Sequence, residues 1–225
     1  MYSWREVHAF SQPLTSDGGG NDEIVTFTPG KLLPVIVFDH ATRSRIIIPM
    51  RWGYPDPRNP YSLKLIHVRS ETIDEKPAFA ASFREGRRGI VTMRTFNEGR
   101  DIIGPKGGTS TEQWTIDPQD GQPRGFAYLF EEFQIDGKTV PCCIMATVPA
   151  SKLIEPVTDR MPAILEDDDW SVWLGAESAE LDEVKSVLRT MENVNWKMDR
   201  EPKKPKAAKP EKPKREKPEP EPGLF

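Results

Sequence analysis

The stretch KLLPVIVFDHATRSRIIIPM (31–50) sets the fold class. Two apolar, β-branched runs, KLLPVIVF and RSRIIIPM, flank the turn-like HATRS, and that pattern predicts a β-hairpin. The same signal recurs downstream. LKLIHV (63–68), RGIVTMRTF (88–96), QWTID (113–117), GFAYLFEEFQI (125–135) and CCIMATV (142–148) read as further strands, separated by Gly, Pro and Asp clusters. Between them RWGYPDPRNP (51–60), with three prolines, reads as rigid irregular chain. ETIDEKPAFAASFREG turns helical after Pro77, with Phe79 and Phe83 one turn apart. DDDWSVWLG (167–175) and AELDEVKSVLRTM (179–191) read as short helices with acidic first turns. SWREVHAFSQPL (3–14) reads as a short amphipathic helix with Ser3 as its cap, and TSDGGGND as a flexible connector. Many strands with a few helices and no βαβ alternation imply α+β: a single domain with a mostly antiparallel, barrel-like sheet and peripheral helices.

The domain is expected over residues 1–200. From 201 to 225 the composition changes to seven prolines, eight Lys or Arg and five Glu, a low-complexity run expected to be disordered. That tail carries +3 and residues 1–200 carry −7, with 23 basic against 30 acidic side chains. A generally basic nucleic-acid binder is therefore excluded, and a nucleic-acid site would be a local cationic patch. The tail reads as solubilising, with a salt-sensitive contact to nucleic acid through its lysines as the alternative.

Two adjacent cysteines, Cys142 and Cys143, point to opposite faces of a strand, which disfavours a disulfide between them and leaves one packed as a small apolar group. With only three scattered histidines, no zinc site and no other metal or cofactor is expected. No signal-like or membrane-spanning run is present, so the expectation is a soluble cytoplasmic protein, nucleoid-associated if it binds DNA, acting as a monomer without a membrane partner.

Four segments together carry a resemblance. They are FTPGKLLPVIV (27–37), MRWGYPDP (50–57), IHVRSETIDEKPAFAASFREGRRGIVTMRTFNEG (66–99) and TDRMPAILEDDDWSVWL (158–174). The ordered set joins an Arg-Ser-Glu-Thr box, a double arginine ten residues before the Glu of Phe-x-Glu, and Asp-Arg-Met-Pro-x-x-Leu before a Trp-rich stretch. It resembles the SOS-response-associated peptidase family, the abasic-site processing proteins. The resemblance implies binding of abasic sites in single-stranded DNA during DNA-damage repair. It also implies a covalent link formed by an N-terminal cysteine whose amine attacks the sugar aldehyde and whose thiol closes a ring.

Carried over residue by residue, Glu98 matches the catalytic glutamate, Thr158 stands where the family has histidine, and His67 stands where asparagine is expected. Arg69 and Arg160 match arginines that contact DNA phosphates, a role that suits a planar guanidinium. Arg87 and Arg88 extend the same strip, with surface ion pairing as the competing reading. Pro29 and Trp52 match positions near the DNA channel, with a rigid turn and core packing as the competing reading. Pro57-Arg58-Asn59 occupies the place of a base-wedging tryptophan. Tyr2 replaces the family cysteine, so ring closure is not expected of the chain as written; a start set upstream of Met1 is the preferred explanation, and lost chemistry the other. The expectation is one positively charged groove around Arg69 and Arg160, with Glu98, His67 and Thr158 at its floor. A non-catalytic single-stranded-DNA binder and a hydrolase or autoprocessing peptidase unrelated to DNA are the alternatives.

Overall fold

The computed structural model describes residues 26–103 and 107–202. The helix expected at 3–14, the connector after it, and the tail from 203 onward lie outside the described residues. The opening hairpin forms as expected: β1 (Leu32–Asp39) pairs antiparallel with β2 (Ser44–Trp52) over its whole length. Asp39 shapes the turn, accepting from the Ala41 amide at 2.9 Å and the Thr42 hydroxyl at 2.7 Å. Pro34 and Pro49 face each other across the ladder, so both missing donors fall on one rung.

The expected irregular segment is instead a small hairpin. β3 (Tyr54–Asp56) pairs with β4 (Asn59–Leu65) through two register shifts, so its prolines bend a ladder without abolishing it. The strand expected at 63–68 is consequently two strands. Its first part belongs to β4, Ile66 is the break, and β5 (His67–Arg69) joins the main sheet. A 3₁₀ turn (Ser70–Thr72) leads to α1 (Pro77–Arg84), which begins with proline where an amide would have no partner and buries Phe79 and Phe83.

The remaining strands are β6 (Arg88–Met93), β7 (Phe96–Ile103), β8 (Thr109–Pro118), β9 (Arg124–Ile135) and β10 (Lys138–Pro149). They are followed by β11 (Arg160–Pro162), β12 (Ile164–Leu165), α2 (Trp170–Leu174), α3 (Leu181–Ser186) and β13 (Trp196–Arg200). The helix expected across 179–191 is therefore only six residues long.

β1, β2, β10, β9 and β6 form a closed ring. Every pairing in it is antiparallel except β10 with β2, which is parallel. The β1–β6 seam is one rung, Ile36 opposite Ile90, and Gly89 makes it possible: a Cβ there would overlap the Val35 side chain and lie 3.2 Å from the Ile36 carbonyl oxygen. Leu33, Val35, Ile90, Val91, Phe126, Tyr128, Leu129 and Ile144 are buried in one core with Trp173. Both cysteines are buried in β10, where one had been expected to be, so both faces of that strand are covered.

β13, β8 and β7 make a separate three-stranded sheet beside the barrel. Its pairing continues one residue past β13, where the Glu201 amide donates to the Gln113 carbonyl at 2.8 Å; ordered chain thus extends past residue 200. No helix among the described residues is long and apolar enough to cross a membrane.

Candidate functional site

One end of the barrel is splayed, and that splay assembles the site. β9 follows β10 only as far as Met145 opposite Tyr128. Beyond that point the segment 160–165 wedges between them. Its Ala163 amide donates to the Ala146 carbonyl at 2.8 Å, and its carbonyl accepts from the Ala127 amide at 2.9 Å. On the other side of β10, β2 ends with Trp52 beside Cys143, and β5 takes over in parallel with His67 beside Met145 and Arg69 beside Thr147. β6 ends at the same place with Met93 and leads into the strand that carries Asn97 and Glu98. Segments distant in sequence thus meet at one mouth.

A cavity of about 480 Å³ opens there, with Trp52, His67, Met145, Asn97, Glu98 and Glu201 in its walls. Pro29 lies at its edge, placed by the turn Thr28–Lys31, in which the Lys31 amide donates to the Thr28 carbonyl at 3.1 Å. Proline second and a glycine third with φ +89° are the requirements of a type II turn. Trp52 is fixed by its indole N–H, which donates to the Ile66 carbonyl at 3.1 Å, and its ring lies 6.3 Å from that of His67.

Glu98 has no hydrogen-bond or ion-pair partner among the described residues. Burial, followed by the negative charge of Asp159, raises its pKa to about 7. The His67 ring is exposed at the cavity wall, and the protein packed around it desolvates it enough to lower its pKa and favour the neutral imidazole. The Asn97 amide donates to Thr115 Oγ1 at 3.0 Å and to Glu201 Oε1 at 2.5 Å, and the Thr115 hydroxyl donates to the same Glu201 oxygen at 3.0 Å. No Lys or Arg among the described residues lines this cavity.

A second, more open concavity of about 670 Å³ adjoins it and shares His67. Arg69, Lys76 and Arg160 line it above an apolar floor of Leu65 and Phe79. The single positive groove expected from the sequence is therefore two concavities that share one histidine, one lined by cations and one without Lys or Arg among the described residues.

Thr158 lines neither; its hydroxyl accepts from the Arg160 amide at 3.3 Å and shapes the turn before β11, while its neighbour Asp159 is the residue that acts on Glu98. Arg160 is committed to Glu71. Its fork meets both carboxylate oxygens, at 2.9 Å for Nη2 to Oε2, and Nη2 also donates to the Thr147 carbonyl at 2.6 Å.

Arg87 and Arg88 do not extend the strip. They sit at the opposite end of β6 from Met93, five residues or roughly 17 Å away along the strand. Arg87 pairs with Glu85 and, at 2.7 Å, with Glu131. Arg88 is buried, donating to the carbonyls of Trp173 at 2.6 Å and Phe83 at 2.8 Å, with both aromatic rings against its guanidinium.

Sequence reasoning missed Asn97, Thr115, Lys76 and Glu201. Asn97 is the direct neighbour of Glu98 and could have been flagged on that ground. Glu201 carried no signal, because it opens the Lys-Pro-Glu run. Neither cysteine lines the cavity, and burial pushes the Cys142 thiol up to about 11 and that of Cys143 further.

A family model described as SOS response associated peptidase (SRAP) matches residues 6–202. Abasic site processing protein YobE of Bacillus subtilis (strain 168) is 29% identical over 143 residues, 62% of this chain and 63% of that protein. Abasic site processing protein HMCES of Xenopus tropicalis is 28% identical over 180 residues, 70% of this chain and 53% of that protein. The chain thus spans less than two thirds of the length of these relatives. Among solved structures, a protein from Bacteroides thetaiotaomicron superposes with TM-score 0.63 at 19% identity, covering 76% of this chain and 74% of that one. A protein from Bordetella bronchiseptica gives TM-score 0.61 at 18% identity, covering 78% and 86%. These two share the fold.

Proposed function

This chain belongs to the SOS response associated peptidase family, and we propose that it processes abasic sites in single-stranded DNA. In this reading the base-free sugar enters the Glu98 cavity and a neighbouring backbone phosphate rests on Arg69. The supporting observation is the pairing of the two concavities at His67. An abasic nucleotide is a neutral sugar flanked by anionic phosphates. A cavity without Lys or Arg among the described residues suits the first, and the adjoining cationic ledge suits the second. Trp52 and Pro29 form the apolar edge past which the strand would lie.

Glu98 supplies the acid–base chemistry. Addition of an amine to the sugar aldehyde forms a carbinolamine, whose hydroxyl leaves as water after taking a proton, and the reverse reaction takes that proton back. A carboxyl group with a pKa near 7 is present in both forms at neutral pH, which suits it to both directions. No thiol comes from Cys142 or Cys143, which are buried in β10. The protein would work as a monomer on DNA in the cytoplasmic nucleoid, without a metal or organic cofactor.

Fluorescence anisotropy tests this with three labelled oligonucleotides: abasic single strand, intact single strand and abasic duplex. The abasic single strand is expected to bind tightest, and Arg69→Ala to weaken it and flatten the dependence of log affinity on log salt by about 0.7. Equal affinity for all three, unaffected by Arg69→Ala, refutes the reading.

A further inference from the structure

The cationic ledge contains three formal charges, and they are not equivalent. Arg69 and Lys76 are exposed, and neither side chain has a hydrogen-bond or ion-pair partner among the described residues. Arg160 is occupied. Both terminal nitrogens of its guanidinium are spent on Glu71 and Thr147, and the pairing holds the Glu71 carboxyl below its ordinary pKa. Glu71 is anchored in turn: Lys185 Nζ donates to its carbonyl at 3.1 Å and to Asp74 Oδ1 at 2.6 Å. The other nearby carboxylates are Asp74, taken by Lys185, and Glu75, which does not line the concavity.

We infer that Lys76, immediately before α1, is the second phosphate-contacting cation beside Arg69, and that Glu71 withholds Arg160 from that role. The inference rests on the DNA reading above and assigns the charges within it. Its logic is ion exchange. A phosphate that meets Arg69 or Lys76 gives each its first partner and releases a condensed counterion from the strand. A phosphate that meets Arg160 must first displace Glu71, and the freed carboxylate then recruits a cation from solution, cancelling the release. Arg160 therefore adds little to the salt dependence while it is paired. Its service is structural, joining the wedge at 160–165 to the Ser70–Thr72 turn.

The test is a salt series of anisotropy measurements from 50 to 200 mM with an abasic single-stranded oligonucleotide. Lys76→Ala is expected to flatten the slope by about 0.7, as Arg69→Ala does; over this range that is roughly a 2.5-fold smaller loss of affinity. Lys76→Arg restores the slope. Glu71→Gln releases Arg160, tightens binding and steepens the slope by about the same amount. The double variant Glu71→Gln/Arg160→Ala returns it to the wild-type value. Should Glu71→Gln fail to fold, Lys76→Ala decides alone, because an exposed, uncontacted lysine is not needed for folding. If the wild type binds with Arg69-dependent slope while Lys76→Ala is indistinguishable from wild type, this assignment is overturned and the proposed function stands. Absence of any wild-type binding overturns both.

Discussion

Replacing Glu98 by glutamine should stabilise the protein at pH 8 and leave it unchanged at pH 4. The folded protein holds the Glu98 proton to about pH 7, whereas the unfolded chain releases it near the ordinary value of 4.5. Below 4.5 both states are protonated and the group contributes nothing. Between 4.5 and 7 the unfolded state alone gains by ionising, so stability falls as pH rises; above 7 the loss is complete. The gap from 4.5 to 7, at about 1.4 kcal/mol per pH unit, gives about 3.4 kcal/mol. Glu98 is only partly buried, and solvent screening reduces this to roughly 2 kcal/mol. Glutamine has the shape of the neutral acid and does not titrate, so the variant should gain that amount above pH 7. For a domain of this size, 2 kcal/mol is about 4–8 °C in Tm. Thermal unfolding of both proteins from pH 4 to 9 measures it. Asp159→Asn should recover only part of the gain, because burial ranks ahead of Asp159 as the cause. Parallel pH curves for wild type and Glu98→Gln would show that Glu98 ionises normally, and the acid–base assignment would go with them.

Gly89→Ala should destabilise by about 1–3 kcal/mol in urea unfolding, because the added methyl group overlaps Val35 at the single-rung seam of the barrel. Arg88→Ala should cost about 3 kcal/mol by leaving the Phe83 and Trp173 carbonyls without their donor, and it should leave the salt dependence of DNA binding unchanged. Neither Cys142 nor Cys143 should react with a thiol reagent at pH 8 in the native protein, and both should react after denaturation.

The fold was legible where burial has a period. The β1–β2 hairpin, β9 and β10 show long apolar runs between turn residues, and α1 shows its phenylalanine pair after a proline. Barrel closure was less legible, because the β1–β6 seam depends on one glycine contact and β10 accepts parallel partners on one side. Short pairings such as β3 with β4 are set by neighbours distant in the sequence, so ten residues with three prolines read as irregular chain. Of the residues the resemblance singled out, Glu98, His67, Trp52 and Pro29 line one cavity. It could not sort the arginines. Arg69, Arg87, Arg88 and Arg160 are chemically identical in sequence. Only the fold shows that Glu71 occupies one, that Glu85 and Glu131 occupy another, that the core swallows a third, and that Arg69 remains open.

Two of the departures from the family pattern, Thr158 and His67, have unequal weight. Thr158 lines neither of the two concavities and shapes the turn before β11, next to the Asp159 that acts on Glu98. His67 stands in the seam between the two concavities, in contact with whatever occupies either. Desolvation moves its pKa down, whereas burial and Asp159 move that of Glu98 up to about 7. With Glu98 partly protonated near neutral pH, Glu201, held by Asn97 and Thr115, is the other acidic group of a cavity wall that has no Lys or Arg among the described residues. In the proposed reading, that lack of cations lets a neutral sugar enter while phosphates are drawn to the ledge.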